Sequence, residues 1–150
     1  MDADLALAIG HHLAVFTLVG AIAAEFVLLR PGLDGVQLQR LARLDAVYGS
    51  AAVLVVLVGV MRLYWGAAGP DYYFSNHAFW GKMAAFVAVG LLSIAPTIAF
   101  GRWRKALRAD PGFRPSEGEI RRQRRFLHAE LGFLILVPIF AAMMARGYGS

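Results

Sequence analysis

Apolar residues dominate four long stretches of the chain, roughly 5–29, 46–64, 79–100 and 126–145, and each stretch is nearly free of charge. Each is close to the ~20 residues needed to cross a hydrocarbon core ~30 Å thick. The polar positions collect between them. This pattern predicts an all-α fold: an integral membrane four-helix bundle made of two helical hairpins, with residues 1–150 forming a single transmembrane domain. The first stretch is expected to be a retained helix and not a secretion signal, because Met1-Asp2-Ala3-Asp4 is acidic where a signal begins basic, and the apolar run is too long.

Composition agrees. Hydrophobic residues make up 59% of the 150 positions and charged residues 17%, below the roughly 25% usual in soluble domains.

Charge then orients the bundle. Of 15 Lys and Arg, Arg30, Arg40 and Arg43 lie between the first and second stretches. Arg102, Arg104, Lys105, Arg108, Arg114, Arg121, Arg122, Arg124 and Arg125 lie between the third and fourth. Basic residues beside spans stay on the cytoplasmic side, so both termini and the 66–78 loop are expected outside. The setting implied is a multi-pass protein of the bacterial inner (cytoplasmic) membrane, with the lipid bilayer as its first partner. The net charge of +5 thus reflects topology, and a nucleic-acid partner is excluded. The Arg121–Arg125 run is read as a positive-inside anchor, with anionic headgroups the sharper alternative.

The chain has no cysteine. Thiolate catalysis, iron–sulfur ligation and Cys-based zinc sites are excluded together. The connectors hold no phosphate-cradling glycine loop, no Ser-His-Asp arrangement and no His-Glu-x-x-His motif. Residues 67–71 (Ala-Ala-Gly-Pro-Asp) read as a turn, and the Ser116 to Glu119 spacing as a cap on the last helix. Gly149-Ser150 is read as a cloning scar.

What remains are ionisable residues in or beside the spans, which are costly in hydrocarbon and so mark function by default. They form two layers. The outer one holds His11, His12, Arg62, His77 and Lys82; the inner one holds Glu25, Arg30, Asp45, His128 and Glu130. His12 and Glu25 are separated by about 20 Å of helix, so the layers are two sites and not one.

Shifting the chain by 70 residues aligns His12–Gly20 with Lys82–Gly90, matching Ala14/Ala84, Phe16/Phe86, Val19/Val89 and Gly20/Gly90. The two hairpins would then be repeats about an axis normal to the membrane, with His12 and Lys82 at equal depth. Neither of these residues can neutralise the other's charge. A neutral imidazole and a neutral amine carry lone pairs of the kind that ligate metal, so His12 and His11 are candidate metal ligands. Alternatively, Lys82 snorkels to the outer interface beside Trp80, the two histidines hydrogen-bond to a neighbouring helix, and His77 is an exposed loop residue.

In the inner layer the default is ion pairing, with Glu25, Asp45 and Glu130 meeting Arg30, Arg43 and the Arg121–Arg125 run. A proton or substrate path is the sharper reading. Gly49, Ala52 and Gly59 should let helices pack closely, and Pro96 and Pro138 interrupt the backbone ladders of spans three and four.

Several motifs together carry a resemblance. His11-His12, an inner Arg30, Asp45, Asp71-Tyr72-Tyr73, Phe79-Trp80-Gly81-Lys82-Met83, Pro96-Thr97 and Arg102-Trp103 resemble a family of small bacterial membrane proteins of unknown function. More distantly, the chain resembles HemJ-type protoporphyrinogen oxidases and related copper-resistance membrane domains. The matching residues are His12 (or His11), Arg30, Trp80 with Lys82, and Arg124-Arg125 with Glu130. That resemblance implies a haem-b site with a span-one histidine as axial ligand and a required lysine. The chain departs from it in the His-to-Arg interval, in the two-residue spacing of Trp80 and Lys82, and in having His128-Ala129-Glu130 where an Asn-Glu pair is expected.

The expected function is therefore a membrane haem-b (porphyrin) protein, redox-active or electron-transferring, with a membrane oxidoreductase as its catalytic form. His12, His11, Lys82, Arg62 and Trp80 would hold the cofactor, Phe16 and Phe86 would flank it, and Lys82, Glu25 and Glu130 would be the catalytic candidates. A porphyrin or quinone is the small-molecule partner, and a homodimer would complete the pocket. The alternatives are a small proton-coupled transporter using Glu25, Asp45 and Glu130, and an accessory subunit of a membrane complex without a cofactor.

Overall fold

The computed structural model describes residues 2–149. Five helices follow one another: α1 (Ala3–Leu28), α2 (Gly35–Trp65), α3 (Gly69–Phe74), α4 (His77–Ala109) and α5 (Glu117–Ala145). Among the described residues there is no strand. All but α3 are long and apolar enough to cross a membrane.

Local chemistry sets the helix starts. Asp34 and Gln37 form a reciprocal capping box at α2, and Ser116 and Glu119 form another at α5, as their spacing predicts. The Asn76 side chain accepts from the Ala78 and Phe79 amides to cap α4. At the end of α1 the chain reverses through Pro31-Gly32, where Gly32 takes φ 83°, a conformation open to a residue without Cβ.

The helices pack as two hairpins, α1 with α2 and α4 with α5, closed by α2 against α4 and α1 against α5. Around the bundle the order is α1, α2, α4, α5, and every neighbour is antiparallel. Leu18, Ile22, Leu41, Phe100, Trp103, Ile120 and Leu127 fill the centre. Large apolar side chains such as Leu13, Val53, Leu57, Val87, Leu91, Ile98 and Ile135 face outward, the arrangement lipid requires.

Three helices outrun their apolar stretches. α2 begins 11 residues before position 46, α4 continues 9 beyond position 100, and α5 begins 9 before position 126. Those extensions are about 13–17 Å long and carry most of the arginines. They stay helical because Leu38, Leu41, Leu107 and Ile120 carry the buried core of the bundle into them. The turn expected at 67–71 is present at residues 67 and 68 and runs directly into the short helix α3, which has Pro70 in its first turn. Tyr72 fixes it by donating to the Met144 carbonyl at 3.0 Å. Gly149 is engaged too, its carbonyl accepting from the His77 amide at 2.7 Å, while Met1 and Ser150 lie outside the described residues.

Candidate functional site

The inner layer sets Glu25 and Glu130 in the bundle interior, with Asp45 half-buried beside them. Glu25 on α1 is 1% exposed and Glu130 on α5 is fully buried. Tyr48 on α2 reaches across the bundle and donates to Glu130 Oε2 at 2.9 Å. Thr97 on α4 donates to Asp45 Oδ1 at 2.8 Å. Glu25, Asp45 and Glu130 lie close enough for their charges to interact. Glu25 Oε1 and Glu130 Oε1 are buried and have no hydrogen-bond partner. Gln123, two turns from Glu130 along α5, and Trp103 on α4 add a buried oxygen and a buried indole nitrogen in the same condition.

The ion pairs expected for this layer do not form. Among the described residues the salt bridges are Arg102 with Glu119 and Arg121 with Glu117, both on the basic extensions. Facing is the reason, since Arg30, Arg43, Arg121, Arg122 and Arg125 are exposed while Glu25 and Glu130 point into the bundle. Arg124 comes closest in purpose but binds backbone: its Nη1 donates to the Phe26 carbonyl at 2.9 Å and the Leu29 carbonyl at 2.6 Å. It also stacks on the Phe26 ring at 4.3 Å. Arginine there caps the carbonyls left open at the end of α1. Beside it, Phe26, Arg121, Arg124, Arg125 and His128 line an open groove, and Arg30 at the helix end is exposed.

In the outer layer the two adjacent histidines part company. His12 is exposed, with Nδ1 bonded to the Ala8 carbonyl at 2.7 Å. His11 turns inward against α2, with Cε1 3.6 Å from where a Cβ on Gly59 would stand, and its buried Nδ1 has no partner. The two rings are perpendicular, 6.4 Å between centroids, so they do not converge on one ion. Among the described residues no group of three or more His, Asp and Glu is placed to hold a metal. Arg62 and Lys82 lie near His11, and Lys82 sits over the Phe79 ring at 5.3 Å. His77 is exposed at the start of α4.

Two of the three aromatics expected to flank a porphyrin face outward. Phe16 is 71% and Trp80 53% exposed, with Trp80 donating to the Phe74 carbonyl; Phe86 alone packs on the core. Of the small residues expected to let helices approach, Gly59 faces His11, but Gly49 faces open space. Two helices approach closely at Gly81, where a Cβ would stand 2.8 Å from the Phe140 ring.

Sequence reasoning passed over Tyr48 and gave Thr97 no role. Tyr48 was within reach, because it lies three residues after Asp45 on the same face of α2.

No curated protein and no solved structure matches the chain. A family model matches residues 3–149, nearly all of its length. The chain therefore belongs to the family described as predicted membrane protein, DUF2214.

Proposed function

We propose that the chain is a small proton-coupled transporter in which Glu25, Glu130 and Asp45 take up and release protons in exchange for an organic cation. The observation that carries this reading is the burial of Glu25 and Glu130 with no cationic side chain against either. A buried anion without a counter-charge costs several kcal/mol on the order of magnitude, and acids inside a span mark ion pathways. A proton or a cationic ligand supplies what the chain does not. Tyr48 orients Glu130, Thr97 orients Asp45, and Glu25 keeps an oxygen free for the exchanging partner. Pro96 has no amide to meet the Leu92 carbonyl, leaving an acceptor open on α4 five residues before Thr97. The proposed setting is the bacterial inner membrane with the arginine-rich end in the cytoplasm.

Tryptophan fluorescence tests it, with tetraphenylphosphonium as the probe cation and Trp103 as the nearby reporter. Saturable quenching is expected, weaker at lower pH because protons compete, with a proton released to a pH dye on binding. Glu25→Gln should abolish both signals. An unchanged titration in Glu25→Gln and Glu130→Gln would end this reading.

A haem-b protein is the second reading, and the unpartnered buried Nδ1 of His11 favours it. An optical spectrum of protein purified with adequate haem supply decides: a Soret band lost in His11→Ala supports it, and absorbance at 280 nm alone refutes it.

A further inference from the structure

We propose that the end of the bundle opposite the arginine-rich extensions carries a binding site for a phosphate-type oxyanion, built from Arg62, Lys82 and His11. Three helices supply the groups. His11 of α1 packs beside Gly59 of α2, and Arg62 stands three residues further along α2, on the same face. Lys82 of α4 lies within electrostatic reach of Arg62, and both lie within reach of His11.

The site lacks an internal counter-charge. Neither Arg62 nor Lys82 makes an ion pair among the described residues. Asp4, an acid of the same end, is turned to the Ala67 amide at 3.3 Å. Arg62 Nε and His11 Nδ1 are buried without hydrogen-bond partners. Basic groups brought together away from water repel one another, and an anion from outside is what offsets that repulsion. The donors suit an oxyanion: a guanidinium, a three-donor ammonium and an imidazole, carried on three helices, match a group with several acceptor oxygens.

Depth names the sources. Arg62 is three residues from the end of α2, Lys82 five into α4 and His11 eight into α1, about 5–12 Å below the helix ends. By the limits of the apolar stretches they lie about 3–9 Å inside the hydrocarbon, so the long Arg62 and Lys82 side chains reach up to a lipid phosphate at the interface, and a free phosphate ion reaches them from the water. The site is independent of the carboxylates in the other half of the bundle, and its test does not touch them.

The experiment uses full-length protein in dodecyl maltoside, with thermal unfolding followed by circular dichroism. Inorganic phosphate is titrated in one arm and phosphatidylglycerol in another, against potassium chloride at equal ionic strength and phosphatidylcholine as controls. A saturable rise in Tm with either phosphate source is expected, with apparent affinity at least about tenfold weaker in Arg62→Gln and in Lys82→Gln. Arg121→Gln/Arg125→Gln, at the opposite end, should respond like the wild type. A response to phosphatidylglycerol alone assigns a lipid headgroup, and one to inorganic phosphate alone assigns a free anion. No response beyond the controls, or equal responses in the wild type and both single variants, overturns the proposal. Using two separate single substitutions keeps the test decisive if one variant fails to fold.

Discussion

Tyr48 and Arg124 show how single side chains set the inner half of the bundle. Among the described residues Tyr48 supplies the one hydrogen bond at the Glu130 carboxyl. Tyr48→Phe removes it while keeping the ring, so stability should fall by about 1–3 kcal/mol, read as a lower Tm in detergent. Cation binding at Glu130 should weaken in the same variant. Arg124 joins α5 to the end of α1 through two carbonyls and a ring. Arg124→Ala should cost about 2 kcal/mol or more, and Arg124→Lys should restore only part of it, since an ammonium keeps the charge but loses the fork. Sequence alone set the Arg121–Arg125 run against the inner carboxylates, and the true target of Arg124 was not legible: the open acceptors at a helix end are backbone atoms, which every residue carries.

Among the helices, the contact of α4 with α5 depends on Gly81. A Cβ there would stand 2.8–3.0 Å from the Phe140 ring, so Gly81→Ala should lower stability by about 1–3 kcal/mol. Phe140→Leu in the same chain should recover part of the loss, read as a double-mutant cycle on Tm. The hairpin pairing expected from the alignment at offset 70 is present as α1 with α2 and α4 with α5, but burial keeps a different register. Ala14 and Ala85, Leu18 and Val89, and Glu25 and Pro96 are buried pairs 71 apart, and His11 matches Lys82 at that offset. One residue turns a helix by about 100°, which is why His12 faces outward and His11 inward. The apolar matches at offset 70 carried no information on facing, because Ala, Phe and Val serve equally well against lipid and against helix.

The whole molecule separates an arginine-rich end from an end with few charges and a belt of aromatics in α3 and early α4. Since the chain has no native cysteine, its orientation is open to direct measurement. Ser116→Cys should be labelled by an impermeant maleimide only after the cytoplasmic face is opened. Ser75→Cys should be labelled in intact cells. The reverse pattern would invert the bundle and exchange the sides of both proposed sites.

Sequence by itself determined the four spans, the basic end, the cap at Ser116 and Glu119, and the division of ionisable residues into two layers. Those are local properties. Each span satisfies its own backbone within one helix, a cap needs residues three apart, and depth follows from counting along a rise of 1.5 Å per residue. Tertiary structure alone decided which side of each helix meets its neighbours. Spans that are apolar all round show no stripe to mark an inner face, and lipid is as apolar as the interior. Only packing therefore set His11 against Gly59, brought Tyr48 across to Glu130, and left Glu25 without a cation.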